Sequence, residues 1–444
     1  MTPDPHVTAA LRPGVRCRLS ARARAAQLTD RRHEEILTGL TGGQVAVLER
    51  LSSQECRLPV LRLMAGGGSF VDRLLDGGWV RQAVYAGADH LYSIEPVRPR
   101  TPPSPGRALS RFTVLRAVAG GLLLESPLAW ADLRLHHDAV GRELGRLAGL
   151  AGAGASGPAA RLLADLQYAG LTTADGEDEE LRLRQWQPHE LWFHHRSRLT
   201  GRARAGVDFG ATWWADGLFD QPPPTAAPRG DGIPLAAADP ALVAKTDPSL
   251  GQVLRRRRSI REHDDANPIT VGQFGEFLDR CGRVAHVTAD GRQVTLPYPT
   301  AGSTGGLELY AVVRLVDGLS PGLYHYDGAA HRLHPLAAPE PAVRELLGRA
   351  ADSAGVAAKP QVLVIISARF GRVMWKYQTM GYGLILKNTG VLFHLMYLVA
   401  TAMDLAPCAL GAGDAELFSR AARLDPAAES SVGEFLLGSR PVDG

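Results

Sequence analysis

Between residues 376 and 413 a Lys-Tyr pair leads into a very apolar run, which ends in the glycine-rich turn Leu410-Gly411-Ala412-Gly413. The most apolar part, Val391–Met403, is too short to span a bilayer and carries His394, so it predicts a buried core helix. A chain of 444 residues exceeds one ordinary domain, and two or three are expected. The net charge of +3 gives no strong field for nucleic acid or an anionic membrane, although Arg255–Arg258 concentrate positive charge locally. Cys17, Cys56, Cys281 and Cys408 lie far apart, without the paired spacing of a metal site or a disulfide framework, which suits a reducing compartment. The N-terminus has no charged-then-apolar signal pattern, and the sequence reads as that of a soluble, cytoplasmic protein.

Periodicity divides the chain into blocks. In residues 1–105, helical segments at Gly43–Leu51 and Phe70–Leu75 precede the stop Gly77-Gly78. Alternating residues at Trp79–Val84 and His90–Ile94 then form a hairpin, which together suggests a winged-helix-like unit. Residues 106–199 repeat this logic with a helix at Ala160–Tyr168, a stop at Gly170, an acidic turn at Asp175–Glu180 and an alternating strand at Leu181–Arg184. Residues 148–157 read as a loop inside that second module. Residues 200–247, with Gln221-Pro222-Pro223-Pro224, have the stiff, poorly packing composition of a linker. Residues 248–444 hold the candidate site.

Winged-helix units most often bind DNA, but Phe70–Leu75 carries one Arg against one Asp, too little for a helix that reads bases and phosphates. A hairpin edge strand that accepts an extended peptide has no such charge requirement, so peptide recognition is the expectation. His194-His195 has no carboxylate or cysteine at a helpful spacing, and no metal site is expected.

Several separated segments suit a flat, phosphorylated ligand. In Arg257-Arg258-Ser259-Ile260-Arg261, guanidinium forks can clamp phosphate and a hydroxyl adds a neutral donor, although a solvated basic run reads the same way. The small residues of Pro299-Thr300-Ala301-Gly302-Ser303 let a backbone approach a planar ring, and a tight turn before the strand Leu307–Val313 would explain them equally. Gly438-Ser439-Arg440 ends a strand at Phe435–Leu437 and offers another guanidinium. No strand leads into Gly-x-Gly-x-x-Gly, which argues against a tightly bound dinucleotide domain.

Taken in order with Lys376-Tyr377, these segments resemble the SagB-type dehydrogenases, nitroreductase-fold flavoenzymes that oxidise azoline rings in ribosomal peptides. The resemblance runs from about Ser249 to the end. It implies an α+β fold, with a C-terminal nitroreductase-like FMN domain preceded by two winged-helix-like modules that recognise a leader peptide. Arg257, Arg258, Ser259, Arg261, Ser439 and Arg440 would hold the FMN phosphate and ribityl chain. Pro299, Thr300, Ala301, Gly302, Ser303, Leu410, Gly411, Ala412 and Gly413 would border the ring. Lys376 and Tyr377 would be catalytic, with either one as the base. The implied function is oxidation of thiazoline or oxazoline to thiazole or oxazole in a precursor peptide, by a homodimer working beside a cyclodehydratase. Alternatives are an NAD(P)H-dependent nitro- or enone reductase and a non-catalytic peptide- or DNA-binding scaffold. The chain departs from the family pattern at Thr300, Gly305, Gly306, Gly383, His394 and Asp404, and His394 is read as a hydrogen-bonded core histidine.

Overall fold

The run Val362-Leu363-Val364-Ile365-Ile366 is apolar at every position, which suits a strand buried on both faces. The computed structural model describes residues 5–441 apart from 21, 23, 31, 32, 103–105, 107, 150–157, 174–176, 178, 201, 228 and 229. The chain forms two units, Met1–Arg204 and Ala205–Gly444, and that run lies inside the second. The sheet there is antiparallel, in the order Ile233–Pro234, Arg332–Leu336, Gly322–Asp327, Leu307–Val313, Val362–Arg369, Glu429–Ser439, Leu405–Ala409. Alternation sorts the apolar side chains. Val362, Val364 and Ile366 join a core with Phe274 and Phe277 of the helix Val271–Gly282 and with Leu392 and Met396 of the helix Gly381–Ala402. Leu363 and Ile365 join a second core with Leu346 of the helix Glu340–Ala354 and Phe418 of the helix Ala415–Ala422.

Phe435 sits at the centre of the first core, fully buried, with the rings of Phe277, Phe393 and Tyr397 at 6.3, 6.2 and 5.3 Å. Phe435→Ala leaves a cavity among groups fixed by two helices, and is expected to cost about 3–5 kcal/mol. Denaturant unfolding of the pure variant checks this.

The apolar run predicted as Val391–Met403 belongs to a helix that begins earlier, at Gly381. At 22 residues and a mean hydropathy of 1.4, it is long and apolar enough to cross a membrane. Ile385, Leu392, Met396 and Val399 are nevertheless buried, the last three against the sheet core. His394 is exposed, which corrects its reading as a core histidine, because it falls on the face turned away from those residues.

The stretch expected to be a linker is folded onto the second unit from Ala205 onward. Gly210–Ala211 pairs with Tyr377–Gln378, Ile233–Pro234 forms the sheet edge, and Asp239 caps the helix Pro240–Thr246. The prolines lack N–H groups but keep their carbonyls. Arg369 donates to Pro223 O and Pro224 O, and Arg372 donates to Pro222 O. Composition shows the missing donors but not the distant guanidiniums that use the remaining acceptors.

His263 packs against Gly438, where a Cβ would lie 2.3 Å from its Nδ1. That Nδ1 accepts the Gln361 N–H at 3.1 Å, so the proton sits on Nε2, which is buried without a partner. Burial outweighs the nearby Asp265 carboxylate and, with Arg314, lowers the His263 pKa from 6.5 to about 4. The unfolded chain therefore takes up a proton that the folded chain refuses. Stability is expected to fall by up to about 3 kcal/mol as pH drops from about 6.5 to about 4. His263→Asn is expected to flatten this dependence in urea melts across that window.

In the first unit, the predicted helix, glycine stop and hairpin are present as Ser69–Asp76, Gly77-Gly78, Val80–Ala86 and Asp89–Pro96. Both hairpin strands are interior, however. Their seven-stranded sheet has the order Cys56–Arg57, Pro5–Leu11, Val80–Ala86, Asp89–Pro96, Ala131–Leu135, Gly121–Glu125, Val114–Val118. Asp89–Pro96 pairs with Ala131–Leu135 across residue 105. The region is thus mixed α/β and not specifically two winged-helix modules, since period-two patterning marks a strand without naming its partner. The hairpin has no free edge for a peptide; the open edges of this sheet are Cys56–Arg57 and Val114–Val118. Leu181–Arg184, expected as a strand, is a single helical turn: among the described residues no strand pairs with it, and the N–H groups of Arg184 and Gln185 find Glu180 O and Leu181 O. The loop expected at 148–157 lies mostly outside the described residues.

Candidate functional site

Lys376 and Tyr377 follow the short helix Phe370–Met374 at the start of a two-residue strand. Their polar atoms meet at one backbone position. Gly302 has φ 58, and a Cβ there would lie 2.5 Å from Tyr377 Oη and 2.6 Å from Lys376 Nζ. Only a glycine both tolerates that left-handed geometry and leaves room for the two groups. The turn Ala301–Ser303 is held by Asn388, whose Oδ1 accepts the Ala301 N–H at 3.1 Å. Thr300 Oγ1 accepts from Gly305 N, and Thr304 Oγ1 donates to Ala301 O. Gly302 and Ser303 remain exposed, as does Pro299, so the turn presents an open face beside the amine and the phenol.

The environments of that pair push their ionisations apart. Burial, and then the Arg292 charge, lower the Lys376 pKa, whereas burial raises that of Tyr377. Both shifts run toward the uncharged form, so the amine gives up its proton more readily and the phenol holds its own and can donate a hydrogen bond.

A second group of predicted residues gathers around Tyr397. Ser259 Oγ lies 2.7 Å from Tyr397 Oη, which also accepts the Ala409 N–H at 2.9 Å, and the Arg257 guanidinium stands 5.1 Å from the Tyr397 ring centroid. Arg255–Arg258, Asp404 and Arg440 line one open cleft. Asp404, at the position where the resembled family has glycine, takes φ 55 and turns its carboxylate to Arg440 at 2.6 Å and Arg256 at 3.2 Å. Arg440 Nε is buried without a partner. Arg258 and Arg261 are exposed. The Ser439 hydroxyl is engaged internally: it donates to Asp264 O and accepts from Gln361 Nε2.

Leu410 is buried in the second core of this unit, and Gly411, Ala412 and Gly413 are exposed, with Ala412 O accepting from Ser353 Oγ. Ala409, immediately before that turn, ties it to the Tyr397 group. Within one chain, then, the loop 300–303 joins Lys376 and Tyr377, and the arginines and Ser259 join the strand leading to Leu410. The helix Gly381–Ala402 serves both, through Asn388 and Tyr397, whose positions are about 13 Å apart along its axis.

Sequence reasoning missed Asn388, Tyr397, Trp213 and Arg292. The polar triplet Lys387-Asn388-Thr389 inside an otherwise apolar helix was the available signal, because a buried amide must be satisfied. Asn388 Nδ2 is buried with no partner.

Residues 107–204 match the family model described as cyanobactin oxidase ThcOx, and residues 254–439 match that of the nitroreductase family. The Methanocaldococcus jannaschii protein MJ1384, named as a nitroreductase, is 31% identical over 163 residues, spanning 37% of this chain and 78% of its own length. A solved structure from Ralstonia eutropha JMP134, also named as a nitroreductase, has 19% identity and a TM-score of 0.39, covering 50% of this chain and 96% of its own. The E. coli microcin synthetase McbBCD complex with truncated pro-MccB17 bound has 16% identity and a TM-score of 0.37, covering 56% of this chain and 91% of the other. At these scores the structural likenesses add nothing to the sequence matches. With the match to MJ1384 and the two family models in the order seen along the chain, this protein belongs to the nitroreductase family, as an oxidoreductase of the SagB/ThcOx type.

Proposed function

We propose that this protein is an FMN-dependent dehydrogenase that oxidises thiazoline or oxazoline rings to thiazole or oxazole in a ribosomally made precursor peptide. The observation that carries the reading is the meeting of Lys376 Nζ and Tyr377 Oη at the exposed face of Gly302. Aromatising an azoline removes a proton and a hydride from adjacent carbons, so a base and a polar anchor must stand together at one face of the ring.

The residues present fit FMN. Arg257, Arg258, Arg261 and Arg440 offer guanidiniums for a phosphate, with Ser259 beside them. The unpartnered Arg440 Nε and Asn388 Nδ2 are donors of the kind such a group would satisfy. When bound, the flavin supplies the two-electron acceptor for the substrate's hydride. Lys376, whose pKa is lowered by partial burial and then by the Arg292 charge, takes the ring proton in its deprotonated form, and Tyr377, whose pKa burial raises, donates to the azoline nitrogen. The rate is therefore expected to rise with pH as Lys376 deprotonates, at a midpoint below that of an ordinary lysine. A stopped-flow pH series on a cyclised peptide checks the sign.

Tyr382, Leu386 and Val391 are exposed on the helix Gly381–Ala402, and a second copy of the chain covering them would give the homodimer expected from the family resemblance. The precursor's leader and a cyclodehydratase are the proposed partners. The open strand Val114–Val118 is a better candidate than the first hairpin for receiving an extended peptide.

Gly302→Ala is expected to displace both polar groups and lower dehydrogenation by about 10²-fold, with FMN retained; flavin absorbance and turnover measured on one sample separate the two effects. Incubation with NAD(P)H tests the reading itself. Indifference of the flavin spectrum to nicotinamide, with conversion of an azoline peptide, supports it. Rapid bleaching without conversion would move the assignment to a nitro- or enone reductase.

A further inference from the structure

Trp213 has φ 52, a left-handed conformation that a bulky residue adopts only when its surroundings impose it. Those surroundings are the turn that carries Lys376 and Tyr377. Gly210 and Ala211 pair with Gln378 and Tyr377, and Thr212 Oγ1 donates to Gln378 Oε1 at 2.9 Å. The Trp213 N–H donates to Lys376 O at 3.1 Å, and Trp214 Nε1 donates to Met374 O at 2.5 Å. Consecutive residues thus strap one short turn, and the strap is anchored again where Arg369 and Arg372 hold the carbonyls of Pro222–Pro224.

The strap delivers an indole to the amine. Lys376 Nζ lies 4.6 Å from the Trp213 ring centroid, and Trp213 packs edge-on against Trp375 at 5.8 Å. Arg292 shares this aromatic surface, with its guanidinium 4.8 Å from the Trp213 centroid and 5.8 Å from that of Trp375. Asp216 answers the Arg292 charge at 3.1 Å. Arg372 lines the same small cavity, but its donors are spent on the carbonyls of Pro222, Gly291, Arg292 and Thr304. The Tyr377 ring also stands at the amine, its centroid 5.2 Å from Lys376 Nζ. Among the described residues no carboxylate forms an ion pair with Lys376. A lysine is therefore fixed on an aromatic face with a cation as its neighbour and no anion to hold its charge.

We propose that Trp213 and Arg292 are positioning residues for Lys376, keeping its amine at Gly302 and beside a second cation. The purpose given to that amine rests on the dehydrogenase reading; the pocket itself does not. The Lys376 amine stands at Gly302 while lying over the indole, and Arg292 disfavours its protonation. Burial acts in the same direction.

The chain has four lysines, Lys245, Lys359, Lys376 and Lys387, so each ε-carbon of the full-length protein labelled with 13C-lysine can be followed by NMR. Lys376→Arg assigns the signal. In the unmodified protein, Lys376 is expected to titrate below the other three, with ε-protons shifted upfield by the indole. Arg292→Gln is expected to raise its midpoint, Arg292→Lys to keep it low, and Trp213→Leu to abolish the upfield shift. Arg292 is partly exposed, so its variants test the idea even if Trp213→Leu fails to fold. The proposal is overturned if Lys376 titrates with the other lysines, or if Arg292→Gln leaves its midpoint in place. If the NMR results hold while azoline peptides are not converted, the pocket stands and the azoline assignment fails.

Discussion

Lys376→Ala is expected to slow azoline dehydrogenation by about 10²–10⁴-fold, the range for loss of a positioned acid-base group, with bound FMN unchanged. The surroundings of the amine at Gly302 lower its pKa, whereas burial raises that of the Tyr377 phenol, so Lys376 is the better placed of the two to accept a proton. Tyr377→Phe keeps the ring and removes the donor. It is expected to cost less, about 10-fold or more, as the loss of one hydrogen bond at the reacting ring. Single-turnover rates on flavin-replete protein, read by peptide mass, measure both. Retention of full rate by both variants would falsify the catalytic pair.

Arg440→Met is expected to weaken FMN retention by roughly 10- to 150-fold, equivalent to about 1.5–3 kcal/mol for one charge-assisted bond. The site explains why a neighbouring residue should act in the opposite sense. Asp404 already occupies Arg440 and Arg256, so an incoming phosphate must compete with a carboxylate of the chain itself. Asp404→Gly removes the competitor at a position whose φ of 55 suits glycine, and is expected to tighten FMN binding. Flavin release on dilution, followed by fluorescence, reads both changes. If Arg440→Met holds FMN as well as the unmodified chain, the phosphate is bound elsewhere.

What could be read from sequence was local. The apolar helix, the strand Leu307–Val313, the hairpin beyond Gly77-Gly78 and the Lys-Tyr pair each declare themselves through a few adjacent residues. The first unit was misjudged because alternation reveals a strand but hides its partner, and Asp89–Pro96 pairs across the expected module boundary. The stretch 205–247 was misjudged because its prolines announce missing donors, whereas the arginines that use their carbonyls lie far along the chain. The same limit hid Trp213 and Arg292, whose contribution to Lys376 exists only after folding. The arginines and hydroxyls were legible as residue types, but their division between the Gly302 and Tyr397 groups was not.

In the proposed reaction, the amine and the phenol at Gly302 serve the desaturation of a five-membered ring. The mass of an azoline-bearing peptide before and after incubation with the purified yellow protein tests it most directly. A product lighter by two hydrogens for each ring converted is expected. A peptide recovered at unchanged mass from a flavin-loaded enzyme would contradict it.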